Sequence, residues 1–180
     1  GKVPMKVLVV YYSKTGFTKR YALWLKEDLG CDCVPLESGK PADFSQYDAV
    51  AFGSSVHAGR IRKLAWFRKQ LPQLAGKRVA LFFTGAMPPE PNTVAQCVAQ
   101  NLTDQEQKQV RVFYLWGGLN YENMGVLDKW MMGVFRKMLA SKKDPSPEDI
   151  EAARMVASSY DKTDRASLQP LERYLLGKQP

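Results

Sequence analysis

Hydroxyl-bearing residues and a glycine are concentrated in the segment 13–18, which reads Ser-Lys-Thr-Gly-Phe-Thr. The hydroxyl groups of Ser13, Thr15 and Thr18 can donate hydrogen bonds, and Gly16 allows the backbone to close around a small anion. A turn of this kind binds phosphate when it opens a helix, because the first amides of a helix have no partner inside it. The alternative is that these Ser and Thr residues serve only as helix N-caps.

The segments on either side of this turn predict the strand and the helix that a phosphate site requires. Residues 5–12 are a run of β-branched and aromatic residues, which is typical of a buried strand. Residues 19–29 carry apolar residues at helical spacing, and Gly30 is placed to end that helix. A strand before the turn and a helix after it favour a phosphate site over a simple cap.

The same turn excludes two common kinds of nucleotide site. A P-loop would end in Gly-Lys-Ser or Gly-Lys-Thr after a longer spacing, and that sequence is absent. A dinucleotide fingerprint needs three glycines, whereas the turn contains only Gly16. A cradle built from hydroxyl groups rather than from a lysine suits a single terminal phosphate monoester.

Strands and helices alternate along the rest of the chain. Further strands are predicted at 31–36, 47–53, 78–84 and 110–116, and helices at 61–71 and 93–101. This alternation predicts an α/β protein with a five-stranded parallel sheet in the order 2-1-3-4-5 and helices on both faces. We expect one domain over 5–160, and a tail at 161–180 whose apolar spacing predicts an extra helix packed on the same domain.

Ligands of such sheets bind where the strand order reverses, outside the carboxyl ends of the first and third strands. The segments that should meet there are the turn 13–18 and the loops 53–60 and 84–88. All three are rich in small residues, which let backbone amides approach a flat ring. Their convergence predicts a site for a ligand that has both a phosphate and a planar group.

Several short motifs resemble a known family. The pattern Ser-x-Thr-Gly-x-Thr at 13–18 resembles the phosphate loop of flavodoxins, which holds the phosphate of FMN, and the resemblance extends over nearly the whole chain. The segments 53–59 and 117–121 and the Met-rich helix at 127–138 are similar to those of the menaquinone-dependent protoporphyrinogen oxidases, which are flavodoxin-sized proteins carrying FMN. Residues 143–147 depart from the glycine-rich stretch of these oxidases, so the substrate does not follow from the resemblance.

The resemblance implies FMN as the cofactor and assigns its contacts. Hydroxyl groups and amides of the turn 13–18 would hold the phosphate, and the segments 54–59 and 84–87 would flank the isoalloxazine ring. The residues assigned to the cofactor are Ser13, Lys14, Thr15, Gly16, Phe17, Thr18, Ser54, Ser55, Val56, His57, Ala58, Gly59, Thr84, Gly85, Ala86 and Met87.

The ring-flanking segments contain no Trp or Tyr, although short-chain flavodoxins usually stack the ring between the two. We therefore expect one face of the ring to be open to a planar substrate. His57, the only histidine, is the candidate catalytic residue, because it could donate a proton or bind a carboxylate. The alternative is that His57 packs in its loop or faces water.

These features predict an FMN-dependent oxidoreductase that acts on a planar, anionic substrate, with a tetrapyrrole favoured. Asn120, Tyr121 and Trp130 are candidate substrate contacts, and no metal site is expected. The alternatives are an electron-transfer protein that donates electrons to an acidic protein partner, and an interaction domain without FMN. A formal net charge of +8 and a pI near 9.4 favour an anionic partner, whereas flavodoxins that carry electrons are typically acidic. Nucleic acid is not expected, because no nucleic-acid-binding motif or long basic run is present.

The predicted helix at 126–139 carries an apolar stripe with basic residues at its flanks. It could contact an anionic membrane or a quinone, line a substrate groove, or only cover the sheet. The stripe consists of Leu127, Trp130, Met131, Val134, Phe135 and Met138.

Cysteine usage and hydropathy bear on the compartment. Three cysteines, an odd number, argue against a disulfide framework and favour a reducing compartment. No apolar run reaches the length of a membrane span, and no signal-peptide pattern is present. We expect a cytoplasmic protein that could also lie peripherally on the inner face of the membrane.

Overall fold

The computed structural model describes residues 5–36 and 43–178 of the chain. Its central sheet has five parallel strands in the order β2-β1-β3-β5-β6, which confirms the predicted fold class and strand order. A short strand, β4, pairs antiparallel with the end of β3 and was not predicted. The strands are β1 (Val7–Tyr11), β2 (Asp32–Pro35), β3 (Ala49–His57), β4 (Arg60–Ile61), β5 (Arg78–Gly85) and β6 (Val110–Trp116).

Helices cover both faces of the sheet, and a second, two-stranded sheet joins β7 (Gly118–Leu119) to β8 (Tyr160–Asp161). Within the described ranges, no helix is both long and apolar enough to cross a membrane. The helices are α1 (Phe17–Leu29), α2 (Leu64–Gln70), α3 (Pro91–Asn101), α4 (Asp104–Gln109), α5 (Val126–Ser141), α6 (Pro147–Val156) and α7 (Gln169–Leu175).

The structure differs from the sequence prediction in the start of one helix and in several short elements that were not predicted. The helix expected at 61–71 begins only at Leu64, because residues 60–61 pair with β3 instead. The short elements α4, α6, β7 and β8 were not predicted. Both missed helices start with capping boxes, at Thr103 with Glu106 and at Ser146 with Asp149. Such a spacing of a hydroxyl residue and an acidic residue marks a helix start and could have been recognised.

Two hydrophobic cores lie on opposite faces of the sheet. One core packs α2 and part of α3 against β3 and β5, and the other packs α1 and α7 against the reverse face. The tail contributes a 3-10 turn (Arg165–Leu168) followed by α7, and its Leu168, Leu171 and Leu175 are fully buried. The tail residues therefore belong to the main core rather than to a separate unit.

A carboxyl pair joins α7 to α1. Glu172 on α7 faces Asp28 on α1, and Arg165 binds the Asp28 Oδ1 atom through Nη2 at 2.5 Å. Burial, and then the neighbouring Asp28 carboxylate, raise the pKa of Glu172 from its usual 4.5 to about 7. The hydrogen bond from Glu172, and then the one from Arg165, lower the pKa of Asp28. Glu172 is therefore the partner that keeps the proton.

We expect Glu172→Gln to change how the stability of the protein depends on pH. The proton on Glu172 stabilises the folded state fully below about pH 4.5, and this contribution is lost as the pH rises through about 7. The free energy of unfolding of the wild type should therefore fall, relative to Glu172→Gln, across that interval. Urea denaturation at a series of pH values measures the difference. Glu148→Gln, at an exposed position on α6, is the control, and parallel curves for the wild type and Glu172→Gln would contradict the assignment.

Candidate functional site

A cavity of about 280 Å³ opens where the carboxyl ends of β1, β3 and β5 meet. The turn 13–18, the ends of β3 and β5, the segment 118–120 and the start of α5 all contribute to its walls. The structure therefore brings together the three segments that the sequence assigned to one ligand. The assigned residues that line the cavity are Lys14, Thr15, Phe17, Ser55, Val56, His57, Ala58, Thr84, Gly85 and Ala86.

The turn 13–18 is shaped to receive an anion. Gly16 adopts a left-handed conformation (φ +103°) immediately before α1, which favours glycine at that position. Its N–H group donates a hydrogen bond to Ser13 Oγ at 3.2 Å. No side chain caps α1, and the first turn of α1 contains no acidic residue. The first amides of α1 are therefore free of a capping side chain, and the positive end of the helix dipole favours an anion at this position.

Thr18 and Ser54, both assigned to the cofactor by the sequence, are buried and lie outside the cavity lining. The Thr18 and Thr84 hydroxyl oxygens are 2.9 Å apart in a buried hydrogen bond. The Ser54 hydroxyl is also buried and donates to the Arg62 carbonyl at 2.6 Å. Both hydroxyls therefore form hydrogen bonds within the protein beside the cavity.

The segment expected as a loop at 53–60 is largely a strand. β3 continues to His57, and its last residues pair with β4 through the register Val56 to Ile61 and His57 to Arg60. Ala58 and Gly59 form the tight connection, with φ values of +50° and +78°. This hairpin places His57 and Arg62 on the cavity wall, and Gly59 outside it.

A carboxylate from α5 lies among three basic side chains at the cavity. Asp128 Oδ1 is 2.7 Å from His57 Nε2, and Asp128 Oδ2 is 3.4 Å from Lys14 Nζ and 3.6 Å from Arg62 Nη2. Burial by itself would raise the pKa of Asp128, but hydrogen bonds and charges from His57 and Lys14 outweigh it and lower that pKa. Asp128 is thus an anion that holds three separate segments together. The sequence did not identify Asp128 or Arg62 as site residues.

Aromatic side chains donate hydrogen bonds to the backbone of the segment 85–87 and do not line the cavity. The Ala86 carbonyl accepts hydrogen bonds from Trp116 Nε1 at 3.0 Å and from the Tyr160 hydroxyl at 2.5 Å. The Tyr114 hydroxyl donates to the Met87 carbonyl at 2.5 Å. Among the cavity-lining residues, no Trp or Tyr is present, and the rings are those of Phe17 and His57. Met87 itself is exposed and lies outside the lining.

Apolar residues of α5 and its neighbours close the remaining side of the cavity. Leu119, Met124, Met131 and Met132 line it there. Flexible, polarisable methionine side chains suit contact with a flat ligand. The amphipathic pattern of α5 was visible in the sequence, but its contact with the cavity was not.

The three candidate substrate residues lie in different places. Asn120 lines the cavity, and its Nδ2 donates to the Thr15 carbonyl at 3.3 Å. Tyr121 lies outside the lining, and its hydroxyl donates to the Val156 carbonyl at 2.5 Å, which ties it to α6. Trp130 is 65% exposed on the outer side of α5 and does not line the cavity. In the part of the chain that the structure describes, no group of His, Cys, Asp or Glu could hold a metal ion.

The fold and this cavity define a doubly wound α/β protein whose ligand site lies at the switch point of its parallel sheet. Residues 8–146 match the family model Flavodoxin_5, described as a flavodoxin domain, and the chain therefore belongs to that family.

Solved structures show a distant likeness. A flavoprotein from Lactobacillus acidophilus in complex with FMN is 19% identical, covers 71% of this chain and 99% of its own, and has a TM-score of 0.43. The Trp repressor binding protein of Bacillus subtilis is 12% identical. The match covers 83% of this chain and 99% of that protein, with a TM-score of 0.45. The WrbA-like flavodoxin of Agrobacterium tumefaciens is 16% identical. The match covers 84% of this chain and 95% of that protein, with a TM-score of 0.41. No curated protein matches this chain.

We expect Thr18 and Thr84 to behave as a coupled pair in a double-mutant cycle. Thr18→Val should lower the free energy of unfolding by about 1–3 kcal/mol, because it leaves the buried Thr84 hydroxyl without a partner. Thr18→Val combined with Thr84→Val should cost less than the sum of the two single changes. Chemical denaturation of the four proteins measures the coupling. Additive effects would show that the two hydroxyls do not stabilise each other.

Proposed function

We propose that this chain is an FMN-dependent oxidoreductase that acts on a planar, anionic substrate, with a tetrapyrrole the favoured class. The observation that carries the proposal is the meeting, in one cavity, of an uncapped helix start and two strand ends, with no Trp or Tyr among the lining residues. Membership of the flavodoxin-domain family supports FMN as the cofactor. The absence of a Trp–Tyr pair around the cavity leaves room for a substrate ring beside the cofactor ring.

The donors around the cavity fit the two ends of FMN. In this proposal, amides at the start of α1 and the Thr15 side chain would hold the phosphate, and Lys14 would add positive charge beside them. Backbone groups at the ends of β3 and β5 are placed for the ring, where Gly85 and Ala86 allow close approach. When bound, FMN supplies the electron-transfer chemistry, and the protein positions it and sets the charge around it.

His57 and Asp128 are placed to hold a proton at the cavity. Because the pKa of Asp128 is lowered, its carboxylate is ionised and accepts a hydrogen bond from His57 Nε2–H. The other ring nitrogen, Nδ1, then remains to accept or donate a proton toward a ligand. Asp128 is therefore a positioning residue, and His57 is the candidate proton donor.

The charge and polarity of the walls support an anionic, planar substrate. Arg62 and Lys14 line the same cavity as the methionines of α5, so cationic and apolar surfaces lie side by side. A tetrapyrrole has a flat apolar ring and carboxylate side groups, which match both surfaces. The net charge of +8 favours the same class of ligand.

We expect Thr15→Ala to weaken FMN binding without unfolding the protein. Loss of one hydrogen bond to a phosphate should cost about 1.5–3 kcal/mol, which is roughly a tenfold to hundredfold rise in the dissociation constant. Titration of FMN fluorescence measures the affinity. Ser45→Ala, at an exposed position outside the cavity, is the control. Equal affinities in the wild type and Thr15→Ala would show that the phosphate lies elsewhere.

Reaction with small molecules tests the enzyme proposal directly. In one experiment, the flavin of the FMN-loaded protein is reduced and then mixed with candidate tetrapyrroles or quinones. In the other, the oxidised flavoprotein is mixed with a reduced tetrapyrrole. The flavin absorbance is followed in both. We expect a tetrapyrrole to change the flavin signal faster than it changes free FMN. Asp128→Asn should slow that reaction by about tenfold, because the amide no longer supplies the ionised acceptor that orients the His57 ring. Asp128→Glu should restore part of the rate.

The main alternative is an electron-transfer protein for an acidic partner, which the net charge of +8 also favours. The same experiment separates the two. Acceleration by an acidic redox protein alone, with no response to tetrapyrroles or quinones, would rule out the enzyme proposal.

The outer face of α5 supports a peripheral contact with a membrane, which we include in the proposed function. Most of the apolar stripe predicted at 126–139 is exposed, so it is not only a face that covers the core. We call these residues, together with Val126 at the start of α5, the α5 apolar surface, and its most exposed members are 43–87% accessible. Lys129, Arg136 and Lys137 are exposed on the same helix and would meet anionic lipid headgroups. The most exposed members are Val126, Leu127, Trp130, Val134 and Met138.

We expect the double change Leu127→Ser with Trp130→Ser to reduce binding to vesicles containing phosphatidylglycerol. Each side chain contributes buried apolar area at the lipid interface, so the partition coefficient should fall by about tenfold or more. Cosedimentation with vesicles measures it. Leu23→Ser with Val34→Ser, two exposed apolar positions on α1 and β2, is the matched control. Absence of vesicle binding by the wild type, or equal loss in both variants, would contradict the contact.

A further inference from the structure

A second depression lies at the opposite end of the sheet from the flavin cavity. It runs between α7 and the edge strand β6, and has a volume of about 460 Å³. Of the nine residues that line it, four are basic and none is acidic. We call it the basic groove, and the residues used below are Arg78, Arg111, Phe113, Tyr174 and Lys178.

Tyr174 organises the basic groove. Its hydroxyl is 3.2 Å from the Val79 carbonyl oxygen and 3.3 Å from the Val79 amide nitrogen, which anchors the ring to β5. The guanidinium carbons of Arg78 and Arg111 lie 5.2 and 5.3 Å from the centre of this one ring. Stacking on an aromatic ring restrains a guanidinium group and leaves its N–H donors directed outward. Two arginines are therefore held in place before any ligand arrives.

Three basic residues of the groove, Arg78, Arg111 and Lys178, differ from other basic residues in the described part of the chain. Arginines elsewhere bind carboxylates, as Arg68 binds Glu106 and Arg165 binds Asp28. No described carboxylate forms an ion pair with Arg78, Arg111 or Lys178. Two guanidinium groups on one ring repel each other, so an anionic ligand placed between them would be favoured.

The groove also offers apolar surface. Phe113 lies 6.0 Å from Tyr174, ring centre to ring centre, and Pro170 lines the groove beside them. A volume of about 460 Å³ falls within the range of small-molecule sites. Paired guanidinium groups beside apolar rings are the chemistry that binds a phosphate group attached to a flat organic part.

We propose that the basic groove binds a small phosphorylated metabolite of nucleotide size, with its phosphates on Arg78, Arg111 and Lys178 and its flat part on Phe113. This site is separate from the turn 13–18 and does not depend on the proposed oxidoreductase function. A ligand there would contact α7 and β6 without touching the flavin cavity.

Calorimetric titration of the full chain with ADP, and separately with inorganic pyrophosphate, tests the proposal. One equivalent of FMN per chain is added first so that the turn 13–18 is occupied without an excess that could enter the groove, and the salt concentration is about 0.15 M to screen weak surface attraction. We expect ADP to bind one site per chain and pyrophosphate to compete with it. Arg111→Gln with Lys178→Gln should raise the ADP dissociation constant by about tenfold or more, because two charged hydrogen-bond donors are lost.

Arg136→Gln with Lys137→Gln on α5 is the matched control, since it removes the same charge from an exposed surface far from α7. It should change ADP affinity by less than about twofold at this ionic strength. Equal losses in the two variants would overturn the proposal by showing only a general charge effect. Failure of the wild type to bind ADP at millimolar concentration, or binding instead to phosphatidic acid vesicles alone, would also overturn it. FMN affinity should be the same in all three proteins, so this outcome is independent of the flavin site.

Discussion

The register of the parallel strands determines where each strand ends, and therefore where the residues of the candidate site lie. β1 and β3 pair so that Tyr11 lies beside Gly53, and β3 and β5 pair so that Ser55 lies beside Thr84. A slip of one residue would exchange the two faces of a strand and so disrupt the packing of both hydrophobic cores. Gly53 reinforces this packing, because a Cβ atom there would lie 2.1 Å from the Phe82 ring. The turn 13–18 and the two strand ends consequently open at one edge of the sheet.

Asp128 connects α5 to that shared edge of the sheet. Its carboxylate joins α5 to His57, Lys14 and Arg62, which belong to the β3–β4 hairpin and the turn 13–18. The half-buried Asp128 carboxylate is tolerated here because it is hydrogen-bonded to His57 and lies beside the Lys14 and Arg62 cations. The same contacts bring the methionines of α5 over the cavity and leave the opposite side of that helix exposed. One ion cluster therefore links the proposed proton donor, the phosphate turn and the α5 apolar surface.

The sequence predicted the strand–turn–helix at 13–18 and the order of the sheet, because both depend on local periodicity and on the rules of parallel connections. It could not predict the partners that fold into contact over long separations. Asp128 is 71 residues from His57, and Thr84 is 66 residues from Thr18. The amphipathic pattern of α5 likewise indicated an apolar face, but only the structure shows that most of this face is uncovered. The α4 and α6 helices, by contrast, could have been predicted from the sequence, because their capping boxes are local patterns.

The central claim is that this chain holds one FMN in the cavity at the carboxyl edge of its sheet. The most direct measurement is equilibrium titration of the protein with FMN, followed by the flavin fluorescence and by the absorbance of the protein after gel filtration. The account predicts quenching that saturates at one FMN per chain, and a yellow protein that keeps its flavin. A colourless protein that leaves the fluorescence of added FMN unchanged at micromolar concentration would contradict it.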